Sequence, residues 1–301
     1  MNIRLAYLVL IGLGGAWGFT IPMSRIAVST GNQAFGLIFW QLFVAVVILG
    51  ALRLIQGRSL MPPRMGREVY IVIALIGTIL PNAFSYRAAA ELPAGVMAIN
   101  IALVPLFALP IALFMGYERL DKLRIFGVVL GAIAIAMLVG PSNSLPDASK
   151  AIFVLVALAA PLFYGLEGNY LTWRGNHGLN PFDVIYGASL VGLVLVLPLA
   201  LGTGQFMPVW SKFGVAEGAL LASSLCHLVA YVSFVWLIGY AGAVFAAQVA
   251  YLVTGAGVVW SMVLLGESYS IWVWLAMAVI MVAVTLVQPR APLPKADPVA
   301  E

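Results

Sequence analysis

The feature that most constrains the fold of this chain is the recurrence of apolar stretches of about twenty residues from one end to the other. A helix of that length matches the hydrocarbon thickness of a bilayer. Hydrophobic residues make up 63% of the 301 residues and charged residues only 9%, which leaves too little polar surface to coat a water-soluble globule. The solvent of this chain is therefore lipid, and its predicted fold class is an all-α membrane protein.

Turn residues and clusters of charge separate ten such stretches. We predict transmembrane helices over residues 5–26, 35–54, 69–90, 94–116, 122–139, 151–173, 182–201, 215–238, 242–265 and 271–287. The very short connections at 91–93 and 239–241 predict that the helices on either side are antiparallel neighbours. The Pro-rich, polar tail over 289–301 is predicted to be disordered and cytoplasmic.

The basic residues between the spans predict the orientation. Eleven lie on the side of the N-terminus: Arg4, Arg53, Arg58, Arg64, Arg67, Arg119, Lys122, Arg124, Arg174, Arg290 and Lys295. The other side has Arg25, Lys150 and Lys212, with Arg87 near a helix end. Lys and Arg are retained in the cytoplasm, so we expect a multi-pass protein of the inner cell membrane with both termini cytoplasmic. The net charge of +4 does not indicate a nucleic-acid partner.

Residues repeat at a nearly constant offset along the chain. Phe35 and Phe182, each opening a helix after an Asn-containing turn, lie 147 residues apart. The same offset, drifting to 149, relates Gly18 to Gly165, Ser85 to Ser233, Ala98 to Ala246 and Glu118 to Glu267. We predict two five-helix repeats, over 1–145 and 146–288, and an odd number of crossings inserts them in opposite orientations. Chance similarity between apolar segments is the alternative.

Several short motifs give the chain a family likeness over nearly its whole length. They are Gly14 to Gly18, Asn82 with Tyr86 and Ala88 to Ala90, Pro105-Leu106, Glu118 to Leu120, Gly127 and Gly131, Phe163 to Gly165, Ala241 to Ala243, Tyr251, and Leu265 to Glu267. With these motifs the sequence resembles the EamA family of the drug/metabolite transporter superfamily, and within it the bacterial exporters of amino acids, including aromatic ones. It departs from the family at Gln41, often an arginine there, and at Thr254, near an expected proline.

Polar and aromatic side chains at mid-membrane depth are the candidate site residues, because lipid makes them costly unless they face protein or a wet cavity. Trp17, Asn82, Tyr164 and His227 fall near the centres of their predicted helices, and Asn100 and Gln248 hold aligned positions in the two repeats. The predicted substrate-binding set is Trp17, Asn82, Tyr86, Asn100, Tyr164, His227, Tyr231, Gln248 and Tyr251. The alternatives are packing or interfacial anchoring for the aromatic residues and interhelical hydrogen bonds for the amides.

Two ionisable groups within the spans are candidates for proton coupling. Glu167 is the acid that falls clearly inside a predicted helix, and His227 is the one histidine within a span. A neutral histidine bonded to a neighbouring helix is the alternative for His227. Glu118 and Glu267 are predicted to be structural and to cap the helices that follow them.

These features favour a transporter that exports small metabolites, with amino acids as the leading substrate class and cationic drugs or other metabolites as the alternative. An intramembrane enzyme is a remote alternative, because the sequence has neither a zinc-binding His-Glu-x-x-His motif nor a Gly-x-Ser-x-Gly elbow. A receptor or scaffold would need larger loops. We expect no cofactor and no metal, since Cys226 is the one cysteine. The expected partners are the small-molecule substrate and the bilayer, and the expected state is a monomer.

Overall fold

The computed structural model describes residues 3–116, 118, 121–140, 145, 147–208, 213–241 and 248–287, and within them it contains helices and no strand. The α-helices are α1 (Ile3–Val28), α2 (Ala34–Ile55), α3 (Arg67–Val72), α4 (Leu80–Ala89), α5 (Ala94–Ile101), α6 (Val104–Phe114), α7 (Lys122–Val139), α8 (Ile152–Ala157), α9 (Ala159–Arg174), α10 (Pro181–Gly202), α11 (Val215–Ala241), α12 (Val249–Leu265) and α13 (Ile271–Val287). The predicted disordered tail over 289–301 lies outside the described residues.

The described helices confirm an all-α chain with membrane-spanning segments. Eight helical stretches are long and apolar enough to cross a bilayer: Arg4–Val28, Ala34–Ile55, Arg64–Ala89, Ala94–Phe114, Lys122–Val139, Ala148–Arg174, Pro181–Gly202 and Val215–Phe234. The remaining two, α12 and α13, are apolar but have 17 residues each. The total of ten crossings therefore stays a prediction.

Prolines interrupt three of the predicted helices. The irregular segments are the π-helical Ile73–Ile79 before Pro81, Ala102 and Leu103 before Pro105, and Leu158 before Pro161. Proline has no N–H for the carbonyl four residues earlier, and its ring crowds that carbonyl, so the regular hydrogen-bond ladder ends there. Helices α1 and α6 continue through Pro22 and Pro110. The interruptions all lie in crossings that contact the candidate site or pack beside it.

The pattern of helix pairing stays the same when the two halves of the chain are exchanged. Helix α1 packs against α11 and α12, and its counterpart α9 packs against α4 and α6. The remaining major pairings, α2 with α10, α5 with α12 and α7 with α13, each join a crossing to its own counterpart. This is the pairing that two related five-helix units would produce. The opposite orientation of the two units stays a prediction.

Small residues allow the closest helix approaches between the halves. A Cβ added at Gly18 on α1 would lie 2.7 Å from the Ala256 Cβ and from the Gly257 nitrogen on α12. A Cβ added at Gly127 on α7 would lie 2.9 Å from the Ala283 oxygen on α13. Helices in lipid associate through such close contacts because lipid tails provide no hydrophobic drive between apolar helices.

Glu267 corrects one prediction and shows how the halves are joined. It precedes α13, but its carboxylate accepts hydrogen bonds from the backbone nitrogens of Ala94, at 2.8 Å, and Gly95, at 3.2 Å. Glu267 therefore caps α5, a helix of the first half, rather than the helix that follows it. Glu118 likewise does not cap α7, because it pairs with Arg124 at 2.5 Å while Asp121 caps the helix. Short-range sequence reasoning could not anticipate a cap supplied from the other half.

Candidate functional site

An amide and tyrosine network crosses the middle of the bundle. The Gln41 Oε1 atom on α2 accepts hydrogen bonds from the Tyr86 hydroxyl, at 3.1 Å, and from Asn82 Nδ2, at 3.4 Å. The Tyr164 hydroxyl on α9 donates to Asn82 Oδ1 at 3.4 Å. Three hydrogen bonds thus join four uncharged side chains on α2, α4 and α9. Asn82, Tyr86 and Tyr164 were predicted site residues, whereas Gln41 was noted only as a departure from the family pattern.

Trp17 and His227 form a second group on α1 and α11. The Trp17 Nε1–H donates to His227 Nδ1 at 3.1 Å. An indole nitrogen can only donate, so the accepting imidazole nitrogen carries no proton and His227 is neutral in this arrangement, with its proton on Nε2. Tyr231, one turn further along α11, meets the Trp17 ring edge to face, with centroids 6.4 Å apart. His227 is exposed although these rings flank it.

Glu167 lies on α9 one turn after Tyr164, and its carboxylate rests against the π-helical segment. A Cβ added at Gly77 would lie 2.4 Å from Glu167 Oε1, so the absence of a side chain at Gly77 makes room for this carboxylate. Among the described residues no hydrogen bond or ion pair reaches Glu167, which is half-buried. A carboxylate without a partner at this depth is costly, so it calls for a functional explanation.

Glu167 connects the two groups electrostatically. It is near enough to the hydroxyls of Tyr164 and Tyr231 to interact with both, although these tyrosines lie on different helices. We define the central cluster as Trp17, Gln41, Asn82, Tyr86, Tyr164, Glu167, His227 and Tyr231. Helices α1, α2 and α4 of the first half and α9 and α11 of the second half supply it. The cluster therefore lies at the interface between the halves.

The described cations all lie away from the central cluster. Arg53 pairs with Asp183, Lys150 with Glu91 at 2.5 Å, and Arg174 with Glu68 at 3.1 Å. The Arg25 guanidinium donates to the Ala89 carbonyl, and Arg87 is exposed near the end of α4. In the part of the chain that the structure describes, the cluster thus contains an acid and no cation.

Three predicted site residues lie elsewhere. Asn100 on α5 is 1% exposed, and its amide has no hydrogen-bond partner among the described residues. Gln248 is exposed just before α12. Tyr251 packs against the main hydrophobic core. The aligned pair Asn100 and Gln248 therefore occupies two different environments, and the structure brings none of the three into hydrogen-bond contact with the cluster.

A cavity of about 390 Å³ opens at one end of the bundle, where α1 ends and α5 begins. Its charged lining residues are Arg25, Glu91, Asp147, Lys150 and Glu267. The side-chain and backbone hydrogen bonds from Ser149 lower the pKa of Asp147, so this acid stays ionised. Each of these acids already has a hydrogen-bond or ion-pair partner. No group of three potential metal ligands occurs in the described residues.

Paired and interrupted membrane helices around a polar cluster that both halves supply define a class of protein: a carrier that moves solutes across a bilayer. Comparison with known families agrees with this class. The model of the EamA-like transporter family matches residues 4–140 and again 151–288, and the chain belongs to this family. The resemblance seen in the sequence motifs is thereby confirmed.

The individual proteins that resemble this chain have low sequence identity to it. The chain is 26% identical over 276 residues to the "Uncharacterized inner membrane transporter YedA" of Escherichia coli, in three strains, covering 90% of this chain and 86% of the relative. A solved crystal structure superposes with a TM-score of 0.58 at 19% identity, covering 94% of this chain and 96% of its own. The superposition shows a shared fold.

Proposed function

We propose that this protein exports small metabolites, or facilitates their efflux, by alternating access at the central cluster, with amino acids as the leading substrate class. One observation carries the proposal: residues of both halves meet at mid-bundle in a polar and aromatic cluster, which is where carriers of this architecture bind their substrates. We also propose an inner-membrane location with cytoplasmic termini, in keeping with the distribution of basic residues and with the name of the relative YedA.

The cluster offers complementary surfaces for an amphipathic solute. The rings of Trp17, Tyr164 and Tyr231 can pack against an apolar portion, while Gln41 and Asn82 have amide groups that can exchange hydrogen bonds with a polar one. The interrupted crossings beside the cluster provide points where the helices can bend as the site opens to either side. Alternating access needs both properties at one depth.

A flux measurement tests the proposal. Purified protein in liposomes is supplied with radiolabelled aromatic, aliphatic and basic amino acids, with protein-free liposomes as the control and with a pH gradient imposed or collapsed. We expect saturable movement of at least one amino acid. Loss of that movement in both Trp17→Ala and His227→Ala would support the cluster as the site. Flux at the protein-free rate for every solute in this and a wider metabolite panel would overturn the proposal.

Efflux of cationic drugs or other cationic metabolites through the same cluster is the second candidate. The observation that favours it is charge, because Glu167 is present and no described cation accompanies it. Adding monocationic solutes to the same panel separates the two. Movement of cations and not of zwitterionic amino acids would favour the second candidate.

A further inference from the structure

We propose that Glu167 is the counter-ion for the substrate's ammonium group and that the site rejects a free carboxylate. The transported class is then a small amphipathic amine with a single positive charge, such as an arylalkylamine or an amino acid whose carboxylate is masked as an amide or ester. This inference rests on the proposed function and selects its second candidate class, cationic metabolites, over free amino acids.

A lone carboxylate at the depth of Glu167 has few stable forms. Within the described residues Glu167 has no hydrogen-bond or ion-pair partner, and the carboxylate abuts the backbone of Gly77. An ionised carboxylate in a low-dielectric region is costly unless a cation accompanies it. Glu167 is therefore stable in two forms, as a neutral acid or as half of an ion pair with a cation that arrives from outside the protein.

The titratable groups around Glu167 lie on α9, on α11 and on the elements packed against α9. On α9 itself, Tyr164 lies one turn before Glu167, and Tyr170 and Arg174 lie one and two turns after it, where both bind Glu68. Glu167 also acts electrostatically on Tyr231 of α11, and His227 on α11 is neutral because Trp17 donates to its Nδ1. Of the elements packed against α9, α4 has Tyr86, bonded to Gln41, and the exposed Arg87. The segments Ile73–Ile79, α5, α6 and α8 contain no ionisable residue. None of these groups is a cation that competes for the carboxylate.

A substrate carboxylate would need free hydrogen-bond donors or a nearby cation. The Asn82 amide, the Tyr86 and Tyr164 hydroxyls and the Trp17 indole each donate to another residue of the cluster. The donors of the cluster that remain, on the Gln41 amide, the His227 Nε2 and the Tyr231 hydroxyl, are all uncharged. A free carboxylate would therefore stand near Glu167 without a positive charge to offset it, and two carboxylates in a low dielectric repel one another. An ammonium group is instead received by Glu167 and by the faces of the nearby tyrosine rings.

Gly77 leaves room for the Glu167 carboxylate beside the π-helical segment. Pro81 removes the N–H that the Gly77 carbonyl would accept in a regular α-helix, and the chain takes a π-helical course over Ile73–Ile79. Because Gly77 has no side chain, the carboxylate fits against this segment. The sequence thus places a glycine and a proline opposite the acid, on the other half of the protein.

Proton and substrate should exclude one another at Glu167. The ammonium can pair with the carboxylate only in its ionised form, so binding of the amine releases the proton that the neutral acid held. Lower pH therefore weakens amine binding. One proton exchanged for one cation leaves the site electrically unchanged, which is the coupling that efflux driven by an inward proton gradient requires.

Binding and flux of matched solutes test this inference. We expect purified wild-type protein to bind phenylalanine amide and phenethylamine at least about tenfold more tightly than phenylalanine, as one missing ion pair predicts. We expect binding of phenethylamine, which is fully protonated at neutral pH, to release about one proton per protein into a weakly buffered solution containing a pH indicator. In liposomes the two amines should move and phenylalanine should not.

The variant Glu167→Gln keeps the size of the side chain and removes its charge. We expect it to remain monodisperse, to lose at least about tenfold in amine affinity and to release no proton on binding. The matched control is Glu68→Gln, an acid exposed at the end of the bundle and paired with Arg174, which should behave as wild type. If Glu167→Gln does not fold, the wild-type protein alone tests the inference, through its preference for amines over phenylalanine and through its release of a proton on binding.

The outcomes separate this inference from the proposed function. If phenylalanine binds and moves as well as its amide, or if no proton is released, the inference is overturned while the proposed function stands. If neither amine binds but another metabolite moves, the inference is likewise overturned and the proposed function stands. If no solute of the whole panel moves above the protein-free rate, both are overturned.

Discussion

The two ends of the bundle and its middle differ in whether their acidic side chains have ion-pair partners. At the ends, acids are paired: Asp183 with Arg53, Glu118 with Arg124, Glu91 with Lys150 and Glu68 with Arg174. In the middle, Glu167 stands among neutral amide and aromatic side chains, with no such partner in the part of the chain that the structure describes. Paired charges hold crossings together, whereas an unpaired charge is available to a solute or a proton. The comparison separates residues that stabilise the protein from residues that we propose to act in transport.

The largest expected effect is on stability and comes from an end of the bundle. Arg53 is 8% exposed, donates to Asp183 and the Ser59 carbonyl, and lies over the Tyr186 ring. Asp183→Ala leaves this arginine without its carboxylate, and we expect a loss of about 3 kcal/mol in unfolding free energy. Flux per folded molecule should stay near wild type. Unfolding in detergent measures the first quantity, and an unchanged midpoint would contradict the structural role of the pair.

The next largest effect is on transport and comes from the middle. Trp17→Ala and His227→Ala each remove one partner of the indole and imidazole pair, and we expect flux to fall about tenfold while the protein stays folded in the membrane. Trp17→Phe separates the ring from its N–H, because it keeps an aromatic surface and cannot donate to His227. Wild-type flux in both alanine variants would remove this pair from the proposed site.

A smaller effect is expected from the backbone that faces Glu167. A methyl group at Gly77 would lie 2.4 Å from Glu167 Oε1, so Gly77→Ala must displace the carboxylate. Since ion-pair energy falls with distance, we expect the apparent affinity for the substrate to fall about threefold to tenfold. Gly168→Ala is the matched control, because an added Cβ there meets no atom within 4 Å. Equal behaviour of the two variants would show that the contact with Gly77 does not matter.

The smallest effect should come from an exposed pair. Glu68 and Arg174 are both well exposed, and exposed ion pairs contribute little because water and salt screen them. We expect Arg174→Gln to unfold at the wild-type midpoint in detergent and to transport at the wild-type rate. A clear loss of stability in Arg174→Gln would mean that an exposed ion pair at an end of the bundle stabilises the protein as a buried one does. It would contradict the difference expected between this pair and the pair of Arg53 and Asp183.

Much of the candidate site was visible in the sequence because it depends on depth in the membrane. Trp17, Asn82, Tyr164 and His227 were selected as polar or aromatic groups near helix centres, and the structure brings all four into the central cluster. The same reasoning passed over Gln41, which differs from its neighbours Trp40 and Leu42 by being an amide in an apolar run. Polarity at mid-depth was the signal that could have found it.

Depth alone could not say which way a side chain points. Tyr251 falls near the centre of the predicted helix over 242–265, but it packs against the main hydrophobic core. Asn100 and Gln248 hold aligned positions, but one is buried and the other exposed. The direction of a helix face depends on its rotation against its neighbours, and an apolar run without strong amphipathicity contains little information on that rotation.

The sequence by itself determined the solvent, the helical class and the family, because length and composition decide whether a segment can be stable in lipid, where every backbone group must be bonded internally. The tertiary structure alone decided which residues meet. The cap from Glu267 onto α5, the hydrogen bond between Trp17 and His227, and the approach of Glu167 to Gly77 all join residues far apart in the chain. Such contacts depend on the packing of whole helices, which no local pattern of residues specifies.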